Sequence, residues 1–278
     1  MQVYLYAKSG HAIGLEATKR CATVVNALKE FNPVLCTSDF RAGAFAKDLL
    51  GVKKYVNIDV VRNLYNIMEK RDILVLDTDE TNELMQKDMK EFCTLLYTIG
   101  EDTSNILVDE SIYTKVENPS IKKAIFFGDD DYNNIFLDLV TSSSKYDIDL
   151  LMGHYFFLGN EKVFVNHFTN VIDEEEYIET LQNTQYLLTA SLQTALESIS
   201  CGNKPVLFIR EDKKYNNKLI EDLNIPIISE DSLEKIINKF DEIITDYPIL
   251  GEFKNMNFEN IRNEIKIKID EFARITGN

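Results

Sequence analysis

Tyr186-Leu-Leu-Thr189-Ala-Ser191-Leu192-Gln193-Thr194-Ala-Leu-Glu197, followed shortly by Gly202-Asn-Lys-Pro205-Val-Leu, reads as a buried strand, a helix, a tight turn and a second buried strand. The first turn of the helix carries small hydroxylated residues. A helix start leaves its first four backbone N–H groups unpaired and carries a partial positive charge. A phosphate arriving over Ser191, Leu192, Gln193 and Thr194 would therefore meet donors already aimed at it. Glu197, further along the same helix, is placed to accept hydrogen bonds from a pair of sugar hydroxyls, and phosphate plus ribose means a nucleotide. The same residues also read as an ordinary helix start, with Ser191 as the cap, Thr194 as its partner and Glu197 as a solvated polar position. The stretch by itself leaves both readings open.

Short apolar runs alternating with amphipathic stretches extend this pattern in both directions. Strands are predicted at 3–6, 33–36, 54–58, 73–76 and 106–108, with helices at 13–31, 41–50, 60–71 and 80–98. This alternation specifies an α/β protein with a parallel sheet covered on both faces. Ligands of such sheets bind beyond the carboxyl ends of the strands, which directs attention to the loops after Tyr6 and Leu76. Around 111–122 the periodicity lapses and Asn118-Pro119 signals a turn. A second series follows, with strands at 123–127, 148–152, 162–166, 185–189, 205–209 and 225–228 and helices at 131–143, 173–182, 192–201, 213–223 and 230–241. The expectation is two Rossmann-like, doubly wound domains, 1–115 and 120–278, facing a cleft. A last amphipathic helix at 258–275 is expected to pack back on the N-terminal domain.

The chain has 278 residues and a net charge of −16, which argues against nucleic acid and anionic membrane surfaces because either needs a basic face. A small diphosphate remains open to it, provided backbone N–H groups supply the field. No run is long and apolar enough to span a bilayer, and Met1-Gln-Val-Tyr-Leu-Tyr-Ala lacks the basic flank of a signal peptide, so a cytoplasmic protein is expected. Cys21, Cys36, Cys93 and Cys201 are far apart and read as small buried hydrophobes in a reducing compartment. His11, His154 and His167 lack metal-ligand spacing, so neither a metal nor a cofactor is expected. Oligomeric state leaves no trace in the sequence.

Three further loops carry chemistry-bearing residues. Lys8-Ser9-Gly10-His11-Ala-Ile13-Gly14-Leu-Glu16 follows the first strand; Gly10 and Gly14 permit close backbone approach, and His11 is a candidate general base. Phe126-Phe127-Gly128-Asp129-Asp130-Asp131-Tyr-Asn133-Asn134 is a strand-to-helix turn whose aspartates suit a helix N-terminus; a Mg²⁺ site is the alternative. Arg210-Glu-Asp212-Lys213-Lys-Tyr-Asn216-Asn217 places amides and cations at another strand's carboxyl end, as sugar or phosphate contacts or as a solvated loop.

Together these loops resemble the nucleotide-sugar hydrolase of the pseudaminic-acid pathway and its spore-coat polysaccharide relatives, a family of GT-B architecture. Ser191-x-x-Thr194-x-x-Glu197 with Gly202-x-x-Pro205 matches the family's nucleotide-binding strand and helix. Gly128-x-x-Asp131-x-x-Asn134 matches its Gly-Gly-x-Asp-x-x-Asn motif, and Asn216-Asn217 an Asn-Gln pair near the sugar. The resemblance implies a nucleotide-linked, UDP-type sugar as ligand and hydrolysis or glycosyl transfer in bacterial surface or flagellar glycan biosynthesis. Two positions depart from it. Aligned on Ile13-Gly14 and Lys19-Arg20, the family's catalytic His falls on Ala17, leaving His11 and Glu16 as the candidate bases. Asp129 replaces the second Gly of the Gly-Gly pair, where a carboxylate beside a diphosphate costs Coulomb energy. These departures carry an alternative: a relative that binds a nucleotide sugar without turning it over.

Overall fold

The computed structural model describes residues 1–104, 106–140, 145–154 and 161–276. The chain divides into two compact units. One comprises Met1–Gly10, Leu15–Leu107 and Asn255–Asn278; the other comprises His11–Gly14 and Val108–Lys254.

The N-terminal unit alternates β1 (Val3–Ala7), α1 (Glu16–Ala27), β2 (Val34–Thr37), α2 (Phe40–Asp48), β3 (Tyr55–Asn57), β4 (Ile73–Asp77), α3 (Glu83–Phe92) and β5 (Leu95–Thr98). The strands form one parallel sheet in the order β3-β2-β1-β4-β5. The central strands are apolar at almost every position and buried, as expected of a sheet covered on both faces.

Three expectations change here. The segment 95–98 is a strand rather than the tail of a helix, because α3 stops where Cys93 turns extended and Thr94 N–H bonds the Asp72 carbonyl at 2.9 Å. The segment 106–108 forms no strand; Leu107 and Val108 are simply buried. Within 60–71 only Val61–Asn66 is helical, as a 3₁₀ turn whose Val61 N–H is taken by Glu80 at 3.1 Å.

The C-terminal unit runs β6 (Ile121–Phe126), α4 (Ile135–Val140), β7 (Asp149–Leu151), α5 (Glu161–Phe164), β8 (Val171–Ile172), α6 (Tyr177–Asn183), β9 (Thr184–Thr189), α7 (Leu192–Ser200), β10 (Lys204–Phe208), α8 (Asn217–Asp222), β11 (Ile227–Ile228) and α9 (Leu233–Thr245). Its parallel sheet has the order β11-β10-β9-β6-β7-β8. The chain builds outward from β6 through β7 and β8, then returns to lay β9 on the other side of β6. That reversal between β6 and β9 is where ligands of doubly wound sheets bind.

The strand expected at 162–166 is instead α5. Phe164 and Phe168 are four residues apart, one helical turn, and Phe168 N–H bonds the Phe164 carbonyl at 3.0 Å. Both rings enter an aromatic cluster with Phe136, and burying each such ring contributes roughly 1.5–3 kcal/mol. The strand beside β7 is β8, with Leu150 paired to Val171.

The final helix, α10 (Glu259–Thr276), belongs to the N-terminal unit. Ile261 and Ile265 are buried, Arg262 donates to the Ala27 carbonyl at 2.7 Å and pairs with Glu30 at 2.6 Å, and Glu264 accepts from Tyr97. Among the described residues, no helix is long and apolar enough to cross a membrane.

Candidate functional site

The loop from β9 into α7 is short because Thr189 and Ser191 supply their own bonds. Thr189 Oγ1 accepts from Ser191 N–H at 3.1 Å, and Ser191 Oγ caps α7 by accepting from Thr194 N–H at 3.1 Å. The Thr194 hydroxyl stands 3.0 Å from that of Ser191 and 2.8 Å from that of Tyr177. Tyr177 in turn donates to Glu197 Oε2 at 2.6 Å, and Gln193 Nε2 donates to Oε1 at 3.1 Å.

Glu197 is fully buried, which removes the reading of it as a solvated helix position. Its desolvated carboxylate is held by protein donors. Burial, then the Glu197 charge, keeps the phenols of Tyr177 and Tyr113 well above the usual tyrosine value. Leu192, the first residue of α7, is half-buried beside its capping Ser191.

The loop from β6 into α4 gives each of its three aspartates a different partner. Gly128 has φ +141°, a conformation that side chains disfavour, and a Cβ there would stand 2.6 Å from Asp130 Oδ1. Asp131 caps α4, accepting from Ile135 N–H at 2.8 Å and Phe136 N–H at 3.0 Å. Burial nevertheless raises its carboxyl above the ordinary value, against those bonds and Arg210. Asn134 takes the left-handed conformation, φ 56°, that closes the turn.

Asp130 reaches Arg210 Nη1 at 2.7 Å and Lys213 at 3.0 Å. Asp129 is buried and turned to His154, accepting its backbone N–H at 2.9 Å and lying 3.3 Å from its Nδ1.

The loop after β10 is tied to both of these. Arg210, buried over the Phe127 ring at 4.8 Å, also forks onto Asp212 at 3.0 and 2.6 Å. Tyr215 donates its hydroxyl to the Ala190 carbonyl at 3.0 Å, fastening this loop to the start of α7. Asn216 caps α8 through Leu219 N–H at 3.1 Å, and Asn217 is the first residue of that helix.

His11–Gly14 groups with the C-terminal unit, where the His11 ring meets Tyr132 edge-on at 6.4 Å between centroids. Gly14 has φ +81°, and an added Cβ would come 3.2 Å from Asp130 Cβ. Gly10, at φ +144°, ends the first stretch of the N-terminal unit with open space around it.

In the N-terminal unit the reversal lies between β1 and β4. There Arg20 forks onto Asp77 at 2.7 and 3.1 Å, with Glu16 3.8 Å away at the start of α1. Ala17 is buried in that helix. Lys8 and Tyr6 both bond Glu80, which helps line a cavity of about 540 Å³ with Val60, Val61, Arg62 and Met85.

The structure thus brings the 128–134, 191–197 and 210–217 residues together around the β6–β9 reversal. Sequence reasoning missed Tyr177 and His154. Neither stands in a motif, and each matters only through a partner about twenty residues away.

No family model matches this chain. No curated protein matches it in sequence. Among solved structures, a UDP-N-acetylglucosamine 2-epimerase is similar over 89% of this chain and 88% of its own, at 12% identity and a TM-score of 0.50. The UDP-GlcNAc 2-epimerase from Neisseria meningitidis bound to UDP-GlcNAc is similar over 88% and 92%, at 11% identity and 0.48. The E. coli heptosyltransferase WaaC with ADP-2-deoxy-2-fluoro heptose is similar over 87% and 99%, at 8% identity and 0.45. At such identities the first likeness establishes the fold alone, an α/β chain of two Rossmann-like units of the GT-B class.

Proposed function

We propose that this chain binds a nucleotide-linked sugar, of the UDP type implied by its sequence resemblance, at the β6–β9 reversal of the C-terminal unit and hydrolyses or transfers the sugar. One observation carries the reading. The two stretches that resemble nucleotide-sugar motifs, 128–134 and 191–197, occupy the two loops that flank the reversal of strand order. The fold shared with a UDP-N-acetylglucosamine 2-epimerase supports the ligand class.

In this reading the N–H groups at the start of α7 face the diphosphate, and Glu197 exchanges one of its protein donors for ribose hydroxyls. Hydrolysis adds water to the anomeric carbon while the bond to the UDP oxygen breaks. A base, His11 or Glu16, takes the proton of the water, and the start of α7 stabilises the departing charge. With an acceptor hydroxyl in place of water the same site transfers the sugar, in bacterial surface or flagellar glycan biosynthesis.

A second reading, binding without turnover, is favoured by Ala17. It is buried in α1 at the position where the family carries its base.

Calorimetric titration with UDP and UDP-GlcNAc, followed by NMR of the products, tests both. Released UDP supports the enzyme, and binding without release supports the second reading. No binding of either compound, or a Glu197→Ala variant with unchanged affinity, removes the site.

A further inference from the structure

The cavity of about 540 Å³ in the N-terminal unit has no part in the nucleotide reading. It lies beyond the carboxyl ends of β3 and β4: Val60, Val61 and Arg62 follow β3, Glu80 follows β4, and Met85 stands in the first turn of α3. Doubly wound sheets hold their ligands at that edge, and the volume is that of a small-molecule site. Val60, Val61 and Met85 are apolar walls, so the two charged side chains decide what enters.

Those two charges are not equally available. Glu80 accepts from the Tyr6 hydroxyl at 2.8 Å and from Val61 N–H at 3.1 Å, and it is ion-paired with Lys8. Burial pushes its carboxyl up, yet these bonds hold it below its ordinary value, so it is ionised and Lys8 balances its charge. Arg62 is exposed, and among the described residues no hydrogen bond or ion pair engages its guanidinium. Its charge is the uncompensated one of the lining, in a chain whose net charge is −16. A guanidinium presents a planar fork that matches a carboxylate or a phosphate. A carboxylate has roughly four lone-pair sites, and the donors from Tyr6, Val61 and Lys8 leave Glu80 room for a ligand hydroxyl.

We propose that this cavity binds a sugar-sized molecule carrying a carboxylate or a phosphate. The anion sits on Arg62, a hydroxyl donates to Glu80, and the apolar face of the ring lies against Val60, Val61 and Met85. The inference stands apart from the nucleotide reading, which concerns the other unit.

The experiment is NMR of the full chain with ¹³C-methyl-labelled methionine, titrated with glucuronate, glucose 6-phosphate and, as neutral control, glucose. Of the six methionines, Met85 lines the cavity and Met152 belongs to the other unit. Glucuronate or glucose 6-phosphate at millimolar concentration should shift the Met85 methyl and leave that of Met152 in place, and the tighter of the two identifies the anion. Arg62→Gln removes no side-chain bond among the described residues, so the variant should fold. It should weaken anion binding by about tenfold or more, because a hydrogen bond to a charged group is lost. Arg62→Lys, which keeps the charge without the fork, should fall between. Arg41→Gln, in α2 of the same unit and outside the lining, should match wild type.

A Met85 methyl unmoved by both anions, an equal shift with glucose, or undiminished binding in Arg62→Gln overturns the inference. Each of these results leaves the nucleotide site standing, because UDP takes no part in the readout. Failure of UDP to bind likewise leaves the assignment of this cavity untouched.

Discussion

The hydroxyl of Tyr177 donates to Glu197 Oε2 at 2.6 Å and stands 2.8 Å from the hydroxyl of Thr194, and none of the three side chains reaches solvent. Tyr177→Phe keeps the ring's packing but leaves a buried carboxylate short of a donor. The expected loss is about 1.5–3 kcal/mol in urea-induced unfolding. In Glu197→Gln the same tyrosine change should cost less, because a neutral amide demands less of its donor. Equal costs in the two backgrounds would show that this bond carries no charge-assisted strength.

Arg210 joins its own loop to the one after β6 through Asp130 and forks onto Asp212 within its own loop, with only 3% of its side chain exposed. Asp130 keeps Lys213 and Asp212 is partly solvated, so Arg210→Ala should lower stability by about 1.5–3 kcal/mol, the worth of its hydrogen bonds to charged groups. A thermal melt unchanged from wild type would show the cluster to be dispensable to folding.

Gly251 packs directly on backbone. A Cβ there would lie on the Asp222 carbonyl oxygen and 2.9 Å from Leu223 Cα, and Gly251 N–H already bonds the Leu223 carbonyl at 2.8 Å. Backbone cannot swing aside as a side chain can, so Gly251→Ala should cost about 1–3 kcal/mol by denaturant titration.

Burial pushes the Glu80 carboxyl up, but bonds from Lys8, Tyr6 and the Val61 N–H outweigh it and leave the group below its ordinary value of 4.5. A depressed carboxyl contributes stability that is fully present above the ordinary value and lost as pH falls through the folded one. Unfolding free energies of wild type and Glu80→Gln, measured from neutral pH downward, should therefore converge only below about pH 4.5. A gap that stays constant with pH would assign Glu80 a role independent of its charge.

All four cysteines are free and buried. Burial raises the Cys36, Cys93 and Cys201 thiols to about 12 and holds Cys21 well above the ordinary thiol value, so little thiolate forms near neutrality. Native protein should leave a colourimetric thiol reagent unreacted at about pH 8, and denatured protein should react at all four. Rapid reaction of one thiol in the native state would mark a local opening.

The doubly wound α/β fold was legible because its signals are local. Apolar strands such as 73–77 and the capped start of α7 announce themselves in a few consecutive residues. Errors arose where local signals agree with two structures. Val163 and Val165 suit a strand, yet the segment is helical, with Phe164 and Phe168 packed on each other and on Phe136. Leu95-Leu96-Tyr97 extends the apolar pattern of α3 without a break, and the end of that helix is set by Asp72, far away in sequence. Within the candidate site, a capping role for one of Asp129, Asp130 and Asp131 was readable from their place at a helix start, but not that Asp131 is the one that caps. The bonds from Tyr177 to Glu197 and from His154 to Asp129 join residues 20 and 25 positions apart, and no periodic pattern reports such pairs.

The placement of α10 bears on how the molecule is made. Residues Val108–Lys254 are continuous and can close their sheet as soon as they leave the ribosome. The N-terminal unit, although synthesised first, must wait for Ile261, Arg262 and Ile265, which arrive after the whole of the other unit. The usual order of maturation is thereby inverted: the half translated first is finished last, and until then its seat for α10 is a surface on which chaperones can act.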